Sequence, residues 1–177
     1  MIIDLRTVLH GPRQFDFALS PDWWKNDGGN DQVIGLVGPL KVRIRISKAG
    51  GKYLLEGRMA GCLRIRCDRC LEPFNDDLES EFQVFLEFVR SHDGENEIEL
   101  LEDDMSVNLI RGEEISLDDM VREQIYLSVP MKCLCGEDCS GLCPFCGTNL
   151  NIKRCNCSSK RGHPGFSKLK NVEQFDD

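Results

Sequence analysis

The stretch from residue 41 to residue 59, KVRIRISKAGGKYLLEGRM, predicts a β-hairpin. Val42, Ile44 and Ile46 alternate with basic residues, which makes one side of a strand apolar and the other side charged. The Gly50-Gly51 pair that follows is typical of a tight turn between antiparallel strands. We therefore expect two paired strands, each with one side facing a core and one side facing solvent.

The sequence on either side of this hairpin continues the period of two. Leu63 and Ile65 alternate with polar or basic residues, and residues 15–19, 82–89 and 107–110 have the composition of further strands. Consecutive strands with short connections favour an antiparallel β-sheet or a partial barrel, here over about residues 13–110.

A helix is predicted near residues 116–128. Ser116 is placed to cap its first turn, and Leu117, Val121 and Ile125 form one apolar stripe along it. The fold class predicted from these patterns is α+β, with an antiparallel β-sheet or partial barrel, one amphipathic helix and a small cysteine-rich zinc-knuckle element. The predicted division of the chain is a β-rich domain with a closing helix, residues 1–130, followed by a cysteine-rich zinc element and basic tail, residues 131–177.

The chain has 177 residues, ten of which are cysteine. No apolar run approaches the roughly 20 residues that a membrane span needs, and the first residues lack the pattern of a secretory signal. We therefore expect the protein to be cytoplasmic. In that compartment disulfides are rare, and a cluster of cysteines more often binds metal.

The formal net charge of −8 is unevenly distributed along the sequence. Residues 93–128 are strongly acidic, whereas residues 41–69 contain nine basic and two acidic side chains. The overall charge argues against a protein that coats nucleic acid non-specifically, but a local basic face is compatible with it.

The strongest chemical signal is the segment CGEDCSGLCPFCGTNLNIKRCNC at residues 135–157. The spacing of Cys143 and Cys146, followed by Gly147, is that of a zinc knuckle, and Cys155 with Cys157 can complete a tetrahedral site of four thiolates. Such a closed site would be structural, because it leaves no position for water. The remaining candidate ligands, as substitutes or as part of a second site, are Cys135 and Cys139.

The cysteine pattern is compatible with two alternatives to a zinc site. The thiols could be free in a disordered tail, or one pair could be a redox centre. Upstream, Cys67 and Cys70 have the same knuckle spacing and lie near Cys62. They are either small buried apolar residues at the end of a strand or ligands of a metal shared with the C-terminal cysteines.

Four blocks of the sequence together resemble the YceD family, the large ribosomal RNA subunit accumulation proteins. They are CDRCLEPF (67–74), ISLDDMVREQIYLSVPMK (115–132), LCGEDCSGLCPFCGTNLN (134–151) and HPGFSKLKNV (163–172). The resemblance implies a role in ribosome biogenesis through the accumulation or processing of large-subunit (23S) rRNA. The positions that carry it are Cys67, Arg69, Cys70, residues 72–74 and residues 134–151.

The function predicted from the resemblance and the basic strands is binding of RNA or of a pre-ribosomal particle. The candidate RNA-binding residues are basic side chains on two predicted strands and the turn after them: Lys41, Arg43, Arg45, Arg64, Arg66 and Arg69. The alternative is a zinc-stabilised adaptor that docks on ribosomal proteins or on a processing enzyme.

We expect neither an enzyme nor a small-molecule substrate. The three histidines, His10, His92 and His163, are distant from one another in sequence. The sequence has no motif for a catalytic nucleophile, a phosphate-binding loop or a catalytic metal. The partners that we expect are therefore large-subunit rRNA precursors or ribosomal proteins.

Overall fold

A computed structural model describes residues 1–9, 11–24, 32–88, 107–110 and 112–157. Within these ranges the chain forms eight strands, two short 3-10 helices (Leu5–Val8 and Pro21–Trp23) and one α-helix. The strands and the helix are β1 (Ile2–Asp4), β2 (Arg13–Leu19), β3 (Val33–Leu36), β4 (Leu40–Ala49), β5 (Lys52–Arg66), β6 (Pro73–Phe88), β7 (Val107–Ile110), β8 (Glu114–Ser116) and α1 (Leu117–Ser128).

Six strands form one open sheet in the order β2-β4-β5-β6-β7, with β3 pairing the end of β5 that β4 does not reach. All pairs are antiparallel except β6 with β7. The predicted hairpin is confirmed: Ala49 lies opposite Lys52, and Gly50 turns the chain with a φ of 63°. The predicted α+β class is confirmed as well.

One face of the sheet forms the core. Ile44, Leu55 and Leu63 are fully or almost fully buried, whereas the basic residues between the apolar positions of β4 are exposed. Gly57 lies between Ile44 of β4 and Phe82 of β6, and the ring of Phe82 lies directly over it. A Cβ at residue 57 would be 2.0 Å from Phe82 Cζ. A glycine is needed at residue 57 because the ring occupies the space of any side chain there.

The helix begins where the sequence predicts. The Asp119 N–H donates to the Ser116 hydroxyl at 3.4 Å, and the apolar stripe of α1 is buried in the same core as the sheet. A second, two-stranded sheet of β1 and β8 brings the chain start to the first turn of α1, where the Leu117 N–H donates to the Met1 carbonyl. The helix thus closes the buried face, and the segment after it crosses to the end of β5.

Several sequence-based expectations lie outside the described residues. These are residues 93–106 of the acidic segment, the three histidines and the block at 163–172 with its basic tail. Among the described residues, no helix has the length and apolar character needed to cross a membrane. The division of the chain at residue 130 stays a prediction.

Candidate metal centres and the charged sheet face

Four cysteines from two distant segments meet at the end of β5. The sulfur atoms of Cys67, Cys70, Cys135 and Cys139, which we call centre 1, all lie within 4.8 Å of one another. The Cys67 and Cys139 sulfurs are 3.7 Å apart, and those of Cys70 and Cys135 are 3.6 Å apart. Zinc–sulfur bonds of about 2.3 Å in a tetrahedron place sulfurs about 3.8 Å apart, so the spacing fits one tetrahedral ion.

Two hydrogen bonds hold the segment after α1 against the turn after β5 and so position the ligands of centre 1. The Cys133 N–H donates to the Asp68 carboxylate at 2.6 Å, and the Asp68 N–H donates to the Cys133 carbonyl at 2.8 Å. This two-way contact holds residues 133–139 beside the Cys67–Cys70 turn. Ligands that are far apart in sequence therefore meet because Asp68 and Cys133, which lie beside them, are hydrogen-bonded to each other.

The other four C-terminal cysteines form a second cluster. The sulfur atoms of Cys143, Cys146, Cys155 and Cys157, which we call centre 2, also lie within 4.8 Å of one another. The Gly147 N–H donates to the Cys143 carbonyl, and the Cys143 N–H donates to the Thr148 carbonyl. Cys146 and Cys157 are exposed, so centre 2 is closer to solvent than centre 1.

Hydrogen-bond donors favour ionisation of some thiols in each centre. Burial opposes ionisation of Cys67, but surrounding N–H groups, led by that of Cys70, outweigh it and lower its pKa to about 6. In centre 2 the hydroxyl and N–H of Thr148 lower the pKa of Cys146 to about 6. Such donors stabilise negative charge on sulfur, which is the form that binds metal.

Other thiols of the two clusters resist ionisation. Hydrogen bonding to Cys70 raises the pKa of Cys135 to about 12, and hydrogen bonding to Cys146 does the same for Cys157. Several thiolates in one small volume repel one another, and a bound divalent cation offsets that repulsion. The two clusters therefore have the electrostatic character expected of cation sites, and each could hold a metal ion.

The ligand set favoured from sequence, Cys143, Cys146, Cys155 and Cys157, is brought together as centre 2. Cys135 and Cys139 lie with Cys67 and Cys70 in centre 1. The sequence allowed two interpretations of Cys67 and Cys70, as small buried apolar residues or as ligands of a shared metal. The signal in the sequence that points to this pair is the CxxC spacing of residues 67–70, which repeats that of residues 143–146.

Two further cysteines lie outside both clusters. The Cys133 sulfur is buried, accepts from the Gln32 amide at 3.2 Å and donates to the Pro130 carbonyl at 3.4 Å. Cys62 lies on β5 opposite Asp77, and partial burial raises its pKa. Neither thiol therefore has the surroundings of the eight clustered cysteines.

The predicted basic side chains of β4 and β5 share the sheet face opposite the core, which we call the solvent face. They are exposed there and consist of Lys41, Arg43, Arg45, Arg64 and Arg66. Arg69 lies elsewhere: its Nη1 donates to the Cys139 carbonyl at 2.9 Å, so that it forms part of the surroundings of centre 1.

Strand pairing places acidic residues beside the basic ones. On the solvent face, Arg43 pairs with Asp16 of β2, and its neighbour Arg58 pairs with Glu81 of β6 at 3.1 Å. Glu79 lies opposite Ala60, the neighbour of Lys41. The excess of positive charge that is present in sequence over residues 41–69 is therefore largely offset on the folded surface.

The far end of β5 is different. Arg64 lies opposite Asn75, and Arg66 lies opposite Pro73, so neither has an acidic partner directly across the sheet. Within the described part of the chain, neither arginine makes an ion pair. These two exposed guanidinium groups immediately precede Cys67 of centre 1.

In the described part of the chain, a mostly antiparallel open sheet is closed on one face by one helix, and two four-cysteine centres follow β5 and α1. This arrangement defines a β-rich protein with paired candidate metal knuckles. The chain belongs to the YceD family, since the family model described as "Large ribosomal RNA subunit accumulation protein YceD" matches residues 55–173. That range contains all eight clustered cysteines, β6 and α1. The family is named as an accumulation factor and not as an enzyme.

Curated relatives agree with this assignment. The chain is 25% identical over 159 residues to "Large ribosomal RNA subunit accumulation protein YCED homolog 1, chloroplastic" of Zea mays. The aligned region covers 76% of this chain and 53% of the maize protein. The Arabidopsis thaliana protein of the same name is 23% identical, with 77% and 49% covered. An uncharacterised Mycobacterium tuberculosis protein is 29% identical, with 73% and 60% covered.

The chain spans about half the length of the plant relatives that it matches. No solved structure matches the chain.

Proposed function

We propose that this protein promotes the accumulation or processing of large-subunit (23S) rRNA by binding, without catalysing a reaction. The observation that carries the proposal is the family match over residues 55–173, because it includes both cysteine centres and the sheet end next to them. We also propose that it works in the cytoplasm, where the ten thiols stay reduced and available to metal.

We propose that each centre holds one zinc ion. Each centre brings four sulfur atoms within 4.8 Å of one another, and four thiolates are a donor set that zinc prefers in structural sites. The residues that would hold the two ions are Cys67, Cys70, Cys135 and Cys139 in centre 1, and Cys143, Cys146, Cys155 and Cys157 in centre 2. The zinc would supply rigidity to residues 133–157, which contain few buried apolar side chains.

We propose Arg64 and Arg66 as the principal phosphate contacts on RNA. They are exposed, they have no acidic neighbour directly opposite, and they lie next to centre 1. Lys41, Arg43, Arg45 and Arg69 would contribute less. Arg43 pairs with Asp16, Arg45 lies opposite Glu56, and Glu79 lies one strand further from Lys41. Arg69 donates a hydrogen bond to the Cys139 carbonyl.

The RNA contact can be tested with zinc-loaded protein and a transcript of precursor 23S rRNA. We expect Arg64→Glu with Arg66→Glu to weaken binding and to reduce the slope of log K against log salt by about 1 to 2. The matched variant Lys41→Glu with Arg45→Glu should have a smaller effect. Unchanged affinity and salt slope in the first variant would contradict the proposed contact.

The cellular role has a separate test. In a strain that lacks this protein, 23S rRNA precursors should accumulate or mature 23S rRNA should fall relative to 16S rRNA. The wild-type gene should restore the ratio. A normal rRNA profile in the deletion strain would contradict the proposed role, whatever the result of the binding experiment.

The acidic strand β6 favours a second candidate, an adaptor that docks on a basic ribosomal protein. Asp77, Glu79 and Glu81 are exposed on the solvent face beside the basic strands. In a pull-down after nuclease treatment at two salt concentrations, Asp77→Lys with Glu79→Lys should lose ribosomal proteins that the wild type retains. Loss of all ribosomal proteins on nuclease treatment would instead favour RNA as the direct partner.

A further inference from the structure

Centres 1 and 2 share one short segment of chain. Cys139 belongs to centre 1 and Cys143 to centre 2, with only three residues between them. The geometry of this segment therefore bears on both clusters at once.

Centre 1 holds the shared segment through Arg69, which lies between Cys67 and Cys70. Arg69 Nη1 donates to the Cys139 carbonyl at 2.9 Å, and the Leu142 N–H donates to the Arg69 carbonyl at 3.1 Å. Gly141 packs so closely that a Cβ there would be 3.0 Å from the same carbonyl oxygen, and its φ is 69°. The turn of centre 1 thus sets the path of the chain into Cys143.

Centre 2 holds the same segment from the other side through Asn151, which lies between Cys146 and Cys155. The Asn151 side-chain amide donates to Cys139 Sγ at 3.3 Å, and its Oδ1 accepts from the Ser140 N–H at 2.7 Å. A residue in the loop of centre 2 therefore supports a ligand of centre 1 directly. Donors to a metal-bound thiolate orient it and stabilise its charge.

We propose that the two centres take up zinc cooperatively, and that Asn151 and Arg69 are the positioning residues that couple them. The inference rests on the proposed zinc sites. The first ion to bind orders residues 139–143 through the contact of either Arg69 or Asn151. The second ion then binds a segment whose conformational entropy has already been lost, so its binding costs less free energy. The coupling is reciprocal, because either centre can order the shared segment first.

Native mass spectrometry of the full chain with one equivalent of zinc tests the coupling. Independent sites would leave about half of the chains or more with a single ion, whether the sites are equal or unequal in affinity. We expect a one-zinc fraction well below that level in the wild type, with chains carrying either no zinc or two ions.

Variants of the two positioning residues test their part in the coupling. Asn151→Ala and Arg69→Ala should each raise the one-zinc fraction to the independent level or above, and weaken the zinc affinity of centre 1 by about 10- to 100-fold. Both variants should still bind two ions at excess zinc, which shows that the centres remain intact.

The matched controls are Asn156→Ala, an exposed asparagine between Cys155 and Cys157, and Arg58→Ala, an exposed arginine on the solvent face. Both should behave as the wild type. A wild-type one-zinc fraction of half or more overturns the cooperativity alone, and an unchanged distribution in Asn151→Ala and Arg69→Ala overturns the role of those residues. A wild type that takes up no zinc overturns the inference together with the zinc sites.

Discussion

Leu71 and Gly147 occupy the same position in two equivalent turns. Leu71 has a φ of 62° and Gly147 a φ of 69°, and each N–H donates at 2.9 Å to the carbonyl of the cysteine four residues earlier. Left-handed backbone is usual for glycine and costs a residue with a side chain about 1–2 kcal/mol. The first knuckle therefore has the geometry of the second despite an unfavourable residue at this position.

We expect Leu71→Gly to stabilise the zinc-loaded protein by about 1 kcal/mol, because it relieves the left-handed strain of a half-exposed side chain. The reverse change, Gly147→Leu, should destabilise by a similar amount. Denaturant unfolding of both variants beside the wild type measures the difference. A lower stability of Leu71→Gly would show that the leucine side chain contributes more than the strain costs.

Cys67→Ser should reduce the number of zinc ions per chain from two to one at excess zinc. The substitution removes a ligand of centre 1 and leaves the four ligands of centre 2 in place. Native mass spectrometry gives the count, and Cys62→Ser and Cys133→Ser are the controls, since both thiols lie outside the clusters. Two ions bound to Cys67→Ser would remove Cys67 from the ligand set.

Chelation of the zinc should loosen residues 133–157 and leave most of the sheet intact. The β4–β5 hairpin is anchored by side chains such as Ile44 and Leu55, whereas the cysteine-rich segment has few buried apolar groups apart from its thiols. Hydrogen–deuterium exchange should therefore rise strongly in 133–157 and little in residues 40–60. Equal protection of both segments before and after chelation would argue against a structural role of the metal.

Gly57→Ala should destabilise the sheet by about 1–3 kcal/mol, because the new methyl group meets the ring of Phe82. Gly38→Ala is a suitable control, since nothing lies within 4 Å of a Cβ there. Thermal unfolding should separate the two variants by several degrees. Equal stability of the two would mean that Phe82 can move away at little cost.

The hairpin and the helix were predictable because their signals are local. The alternation around Ile44 and the stripe containing Val121 each repeat within one element, and Ser116 caps the helix from the adjacent position. Burial of one face follows directly from such a pattern, whatever the rest of the chain does. The parallel pairing of β6 with β7 has no comparable local signal.

The partition of the cysteines was only half predictable. Cys143 and Cys146 lie within 14 residues of Cys157, so spacing alone favoured the group that forms centre 2, although it left Cys135 and Cys139 open as substitutes. Centre 1 combines Cys70 with Cys135, 65 residues away, and depends on the contact between Asp68 and Cys133. Spacing along the chain carries no information about a contact of that kind.

By itself, the amino-acid sequence determined which residues face the core, where the helix begins and which residues are candidate metal ligands, because each follows from neighbouring side chains. Only the tertiary structure decided which cysteines share a centre and how much of the basic charge is offset. Both depend on distances in space: pairing of β6 with β5 places Glu81 beside Arg58, and the clamp at Asp68 places Cys135 and Cys139 beside Cys67. Electrostatic interaction and metal coordination act over a few ångströms, however far apart the residues are in sequence.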